Sequence, residues 1–316
     1  MLKPTDPAAL AQLKHQDIPQ GTEVYHASLS PQQEEVRRLI GVILNGGDTP
    51  SFAASMTEYV LASGDRVTAA CHKAYRKVNQ DCVAINIDDS AVTDIDGYGP
   101  KGDDVAHRLG SEMLFDDSAK AVYAVHMAVL KDSLYDYVGG ACYAHVRIVR
   151  DPVTGEKMLE PSQAGDVRIL VLDAQGEIVW QSDDENRASE FCREGKISED
   201  QVLYHQERNV VTNSIGDRFA ITSRPAVPLK PGYRVILGSD GIFDNLTTEE
   251  FLRDTASLNA QDIIRKMESV VYTRMQDRKK IAKETGKRSE ALFYTDTYLS
   301  EPKADNLSLV VIDISA

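Results

Sequence analysis

Apolar residues recur along this chain with two periods, and the change from one to the other divides it. Up to about residue 65 the spacing is helical. Ser30 and Pro31 make an N-cap and N1 pair, after which Val36, Leu39, Ile40, Ile43 and Leu44 fall on one face before Gly46. Thr49-Pro50 opens a second predicted helix, with Phe52, Met56, Tyr59 and Val60 as its stripe and Gly64 as its stop. From Arg66 onward, alternating or continuous apolar runs stand between turn residues, at 66–75, 81–87 and 91–95, and these predict strands with a tight turn at Asp88-Asp89-Ser90. Helical spacing returns over 103–136 through Val105, Leu109, Met113, Val122, Val125 and Val129. Further strands are predicted at 142–149, 167–172, 177–182, 234–239 and 307–314. A short helix opens at Thr247-Thr248-Glu249-Glu250, and a longer one covers 260–275. The sum is a strand-rich α+β domain over 66–316, preceded by a helical extension over 1–65 that packs on it.

Composition narrows the class. A chain of 316 residues, 42% hydrophobic and 27% charged, can bury a sizeable core, which excludes a disordered or disulfide-stapled protein. Its formal net charge of −14 repels phosphate backbones and anionic lipid, so neither nucleic acid nor a membrane is an expected partner. No basic start followed by an apolar run, and no stretch near the ~20 apolar residues of a membrane span, predicts a cytoplasmic location. Cys71, Cys82, Cys142 and Cys192 form no C-x-x-C pair and are expected as reduced thiols. H-E-x-x-H, G-x-S-x-G and Walker A patterns do not occur. One local departure from acidity is the insertion at 276–304, where Arg278, Lys279, Lys280, Lys283, Lys287 and Arg288 concentrate. It reads either as a solvated helix face or as a flap that attracts phosphorylated substrate.

Aspartates sit beside glycine or asparagine, or one residue away, where strands begin or end: Asn79-Gln80-Asp81, Asp94-Ile95-Asp96-Gly97, Gly165-Asp166, Ser239-Asp240-Gly241 and Asp305-Asn306. Any one of these is an ordinary turn. Together, at the edges of neighbouring strands, they would assemble a carboxylate cluster without His or Cys, a donor set that suits Mg²⁺ or Mn²⁺. Two other motifs overlap this region. Gly97-Tyr98-Gly99-Pro100-Lys101-Gly102 fits G-x-G-x-x-G, but Pro100 and the upstream hairpin argue against a dinucleotide-binding βαβ unit. On an EF-hand template the same stretch puts Val92 where the first ligand belongs and Asp103 in place of the bidentate Glu.

Taken in order, these segments resemble the metal-dependent serine/threonine protein phosphatases of type 2C (the PPM family). Arg76-x-x-Asn79-Gln80-Asp81 is similar to the family's R-x-x-N-E-D, and Asp96-Gly97-Tyr98-Gly99 to its D-G-(H/M)-G. Gly165-Asp166-Val167-Arg168 resembles G-D-S-R, and the run from His205 to Gly216 resembles H-x-x-R-N-x-(I/L/V)-T-R-x-L-G. Ser239-Asp240-Gly241-Ile242-Phe243-Asp244 resembles S-D-G-L/I-W/F-D, and Asp305-Asn306-Leu307-Ser308 resembles D-N-I-T. The resemblance runs from about Arg66 to Ile314.

What it implies is two packed antiparallel β-sheets flanked by α-helices, with two or three Mg²⁺ or Mn²⁺ ions in a cleft at one end. Asp96 would bridge two ions, with Asp81 and the Gly97 carbonyl on one, and Asp240 and Asp305 on the other. Asp166 would hold a third ion with Asp240, and Gln80 and Asp244 would act through water. Two ions about 3.5–4 Å apart generate a bridging hydroxide at neutral pH, which would attack phosphoserine or phosphothreonine of a protein substrate while Arg76 clamps the phosphate. Gln80 replaces the usual Glu and removes a negative charge; Tyr98 replaces a His thought to protonate the leaving group in animal members; Pro100 replaces a Gly and Asn213 an Arg. Two rival readings are a catalytically weak phosphatase-like binding module and a phosphatase of a small metabolite. The N-terminal helices and the basic insertion are the candidate partner surfaces.

Overall fold

The computed structural model describes residues 41–44, 49–74, 76–87, 89–114, 116–202, 205, 207–285 and 305–316. Its strands are β1 (Gly41–Leu44), β2 (Thr57–Val60), β3 (Arg66–His72), β4 (Asp81–Asn86), β5 (Ala91–Tyr98), β6 (Gly140–Arg150), β7 (Lys157–Ala164), β8 (Arg168–Leu172), β9 (Ile178–Gln181), β10 (Thr222–Ser223), β11 (Val227–Leu229), β12 (Arg234–Gly238) and β13 (Leu307–Asp313). Its helices are α1 (Gly102–Met113), α2 (Ala119–Ser133), α3 (Arg187–Arg193), α4 (Glu199–Val202), α5 (Asp240–Phe243), α6 (Thr248–Thr255) and α7 (Ala260–Thr285).

The strands form two antiparallel sheets. One runs β1-β4-β5-β6-β7-β10, with β11 also on β7, and the other β2-β3-β13-β12-β8-β9. Both sheets are covered on both faces, which explains the near-continuous apolar runs of their central strands. Alternate residues of each strand point to opposite faces. Val83, Ile85, Val92, Cys142, Ala144 and Val146 of the first sheet meet Val67, Ala69, Val235, Leu237, Val310 and Ile312 of the second in the core between the sheets. The opposite parity, Cys82, Ile95 and Tyr143, packs under Val105, Leu109, Val122, Val125 and Val129 of α1 and α2. On the outer face of the second sheet, Ile236, Leu309 and Val311 pack under Phe243, Phe251, Ile263, Ile264, Met267 and Val271. Helix α6 starts at a full capping box between Thr247 and Glu250, at the place where the sequence predicts it.

The helical reading of the N-terminal segment fails wherever residues are described. Gly41–Leu44 is a strand on the edge of β4, and Thr57–Val60 is a strand on the edge of β3. Only Ala53–Ser55 winds, as one 3₁₀ turn. Val42-Ile43 and Thr57, Tyr59 and Val60 are β-branched or aromatic and lose rotamer freedom in a helix, whereas the open edges of β4 and β3 offer ladder hydrogen bonds. The described residues of this segment add an edge strand to each sheet. The proposed helix start at Ser30, with the rest of 1–40 and 45–48, lies outside the described residues. Of the basic insertion, α7 extends through Thr285, and 286–304 lies outside the described residues. No described helix is long and apolar enough to cross a membrane.

A buried ion pair ties the two sheets together at one end. Lys157, at the start of β7, places Nζ 2.7 Å from Oδ1 of Asp65, which precedes β3, and the two side chains are 6% and 0% exposed. The Lys157 ammonium also donates to the Ser315 carbonyl and hydroxyl, and Asp65 Oδ1 accepts from the Ser315 N–H. Removing one member leaves the other buried and uncompensated. Lys157→Ala is expected to lower unfolding free energy by about 3–5 kcal/mol in urea denaturation, and a loss below about 1 kcal/mol would contradict this role.

Candidate metal centre

The opposite end of the sandwich gathers the aspartates, and strand parity explains how. In the antiparallel register Asp81 stands opposite Asp96, and Asp96 opposite Cys142. Because Val83, Ile85 and Val92 face the inter-sheet core, Asp81, Asp94 and Asp96, of matching parity, face the same space. The second sheet supplies the rest from its strand ends. Asp166 lies in the crossing from β7 to β8, where Gly165 has φ +103° and a Cβ would come within 2.4 Å of Cys142 Sγ. Asp240 opens α5 directly after β12, and Asp305 precedes β13. Gly241 lets these two turns touch, since a Cβ there would lie 1.8 Å from the Asn306 carbonyl oxygen.

Asp96, Asp166 and Asp240 offer carboxylate oxygens that all lie within 4.8 Å of one another. They line a cleft of about 500 Å³ together with Arg76, Gln80, Gly97, Tyr98, Asn209, Asp217 and Asp305. Asp81 lies behind Asp96, 1% exposed, with Oδ2 lacking a hydrogen-bond partner. Burial, followed by the charges of Asp96, Asp305 and Asp94, pushes its carboxyl well above the usual range. Gly97 donates its N–H to the Gln80 carbonyl, 3.1 Å away, and a Cβ at Gly97 would lie 2.3 Å from the Gly102 oxygen, so only glycine fits here.

The remaining candidates each have a partner of their own. Asp305 is in the cleft but outside the close trio; its Oδ1 accepts from Arg76 Nε at 3.0 Å and Nη2 at 2.8 Å. Gln80 donates Nε2–H to the Gly99 carbonyl at 2.7 Å, a bond a carboxylate could not make. Asp244 pairs with Arg208 at 3.1 Å; burial pushes its carboxyl up to about 7 against the opposing pull of that guanidinium. The Tyr98 hydroxyl lies 2.6 Å from the buried Ser214 hydroxyl, and burial raises its pKa further. The loop over Gly97–Gly102 follows a strand of an antiparallel meander, which excludes the dinucleotide reading.

Other residues position this site and were not singled out from the sequence. Asn306 receives the Gln80 N–H and donates to the carbonyls of Lys73 and Val78, fixing both ends of the Arg76 loop. Asn79 donates to the Asp81 carbonyl, and Arg208, 2% exposed, holds Asp244. All three stand inside the quoted motifs; only their polarity beside apolar strands signalled them. Oxygen donors from Asp96, Asp166 and Asp240, with the unpartnered Asp81 oxygen behind them, fit hard divalent cations.

No family model matches the chain. A Streptococcus pyogenes serotype M6 protein, provisionally named as protein phosphatase 2C-type, is 31% identical over 90 residues; the match spans 28% of this chain and 36% of that relative's length. The fold is shared more broadly. The PPM Ser-Thr phosphatase MsPP of Mycobacterium smegmatis, solved with cacodylate, matches with a TM-score of 0.58 at 20% identity over 79% of this chain and 98% of that one. The Mycobacterium tuberculosis serine/threonine phosphatase PstP/Ppp gives 0.59 at 18% identity over 80% and 99%. The PstP catalytic domain solved with two manganese ions gives 0.57 at 17% over the same shares. Two antiparallel sheets with flanking helices, as the sequence resemblance implied, are the fold of the PPM phosphatases.

Asp94 gives a pH signature for this acidic end. It is fully buried, neither oxygen completes a hydrogen bond of normal geometry, and burial pushes it up to about 7 despite the nearby Ser308 hydroxyl and Ile95 N–H. The unfolded chain ionises this group near 3.9, so the stability it contributes is full below about pH 4 and is lost as pH rises through about 7. In EDTA, Asp94→Asn is expected to flatten the fall in urea stability between pH 5 and 7.5 by roughly 2–3 kcal/mol. An unchanged slope would show that Asp94 does not carry it.

Proposed function

We propose that this chain, which has the fold of the PPM phosphatases, hydrolyses phosphoserine and phosphothreonine in proteins with Mg²⁺ or Mn²⁺ as cofactor. The observation that carries this reading is the convergence of Asp96, Asp166 and Asp240 on one point of an open cleft, with Asp81 buried behind them. In this reading Asp96, Asp81, the Gly97 carbonyl, Asp240 and Asp305 would hold the ions. Asp166 and Asp240 would hold a further ion, while Gln80 and Asp244 stay one step removed. The bound ions would supply Lewis acidity and ionise water at neutral pH.

The protein's own groups then have defined tasks. Arg76, half-exposed at the cleft, presents a planar fork of donors to two phosphate oxygens, a geometry Lys cannot match. The cleft holds one cysteine, Cys142, whose thiol is pushed well up by burial and then by Asp166 and Asp96, so it is not a thiolate nucleophile. With the Tyr98 hydroxyl engaged by Ser214, this reading assigns the leaving alkoxide's proton to water. The acidic surroundings of Asp96, Asp166, Asp240 and Asp217 repel a phosphate dianion, so in this reading phosphate binding in the cleft depends on the bound cations.

The test is hydrolysis of p-nitrophenyl phosphate and of a phosphothreonine peptide by purified protein with EDTA, Mg²⁺ or Mn²⁺. Turnover is expected with either ion and not with EDTA, and Asp240→Asn is expected to lower kcat/KM by on the order of a hundredfold or more. A folded protein without turnover on either substrate with either ion would sink the enzymatic reading. A non-catalytic phosphoprotein-binding module would then be the one to pursue.

A further inference from the structure

We infer that Arg76 and a divalent cation compete for Asp305, so that phosphate, by drawing Arg76 away, promotes loading of the ion that Asp305 serves. This rests on the reading above, in which Asp305 is a metal ligand and Arg76 a phosphate contact. Arg76 Nε and Nη2 both donate to Oδ1 of Asp305, at 3.0 and 2.8 Å, and the Asn306 N–H donates to the same oxygen at 2.9 Å. Three donors occupy the lone-pair directions of that atom. A dication at Asp305 would also stand beside the guanidinium, and like charges a few ångströms apart repel.

The two partners differ in freedom. Asp305 has a side chain 14% exposed, and its neighbour Asn306 is bonded to Lys73, Val78 and Gln80. Those bonds clamp the ends of the Arg76 loop, whereas the Arg76 side chain is 50% exposed. Of the two partners, the exposed guanidinium is therefore the one with room to swing away. Arg76 and Asp305 line the same cleft, so a phosphate held there offers Arg76 a second acceptor within its reach. Reciprocity then requires phosphate to tighten cation binding by the factor by which the cation tightens phosphate binding.

A supporting arginine would behave with the opposite sign. A donor that orients a metal ligand without touching the metal raises metal affinity, and its removal weakens binding. Competition predicts instead that Arg76→Ala binds more tightly. The experiment is Mn²⁺ titration followed by calorimetry and by the signal of free Mn²⁺ in paramagnetic resonance, for wild type, Arg76→Ala, Arg76→Gln and Asp305→Asn, each with and without inorganic phosphate. Both Arg76 variants are expected to bind Mn²⁺ roughly two- to tenfold more tightly than wild type, and to lose most of the phosphate enhancement that wild type shows. Unchanged or weaker Mn²⁺ binding in folded Arg76 variants would overturn the competition while leaving the metal site intact. Mn²⁺ binding insensitive to Asp305→Asn would instead remove Asp305 from the ligand set, and the inference with it.

Discussion

Asp81, Asp94 and Asp96 all stand on the inner face of β4 and β5, at the end of the sandwich where Asp166 and Asp240 close in from the second sheet. Water that would screen them is excluded from Asp81 and Asp94. Repulsion among carboxylates in a dry site is unfavourable, and the guanidiniums nearby are held at its margin: Arg208 is on Asp244, and Arg168, which feels the charges of Asp244 and Asp166, is held by Asp184 and lies over the Phe243 ring. The core between the sheets holds these charges in place regardless. Val83, Ile85, Val92, Val310 and Ile312 contribute roughly 1.5–3 kcal/mol each on burial, and their parity cannot change without turning every one of them outward. The hydrophobic register thus forces an arrangement that a bound dication would stabilise.

Strand register alone would leave the carboxylates on separate loops. The loops are drawn together where side chains are missing or where they serve as braces. Gly97 against Gly102, Gly165 against Cys142 and Gly241 against Asn306 all approach more closely than any Cβ permits. Asn306 reaches to the Arg76 loop and Asn79 to the Asp81 backbone. At the far end, Lys157, Asp65 and Ser315 tie β7 of one sheet to the start of β3 and the end of β13 in the other. The site is therefore built on rigid strand ends and backbone contacts.

Much of this was legible in the sequence, for stateable reasons. The central strands announced themselves because a sheet covered on both faces needs continuous apolar runs, and α1, α2, α6 and α7 because their stripes and caps are local signals. The turns Asp96-Gly97, Gly165-Asp166, Asp240-Gly241 and Asp305-Asn306 could be marked because their residue types are required by turn geometry. The N-terminal helices misled because apolar residues at 36–44 satisfy a helical period, while the state of 41–44 is decided by a distant edge on β4. Strand β7 escaped notice because Glu160 and Pro161 interrupt its pattern, although its neighbours on both sides hold it in the sheet. Nor could pattern reveal that Arg76 rests on Asp305, since the two are separated by 229 positions.

The two departures from the family pattern at the cleft are explained by where their hydrogen bonds go. A Glu at position 80 could accept but not donate, whereas the Gln80 amide donates to Gly99 while its own backbone N–H is taken by Asn306. Tyr98 in turn passes over Gly140, where any Cβ would lie 2.4 Å from the tyrosine oxygen, to reach Ser214 on the segment that carries Asp217 to the cleft. Both side chains brace the Gly97–Gly102 loop from two sides, at a place where Pro100 offers no backbone donor. A loop braced in this way keeps the Gly97 carbonyl and Asp96 fixed without help from a charged group. On the proposed reading, the chemistry of the cleft would rest on the aspartates and Arg76, and the charge lost at Gln80 would fall on metal affinity and not on geometry.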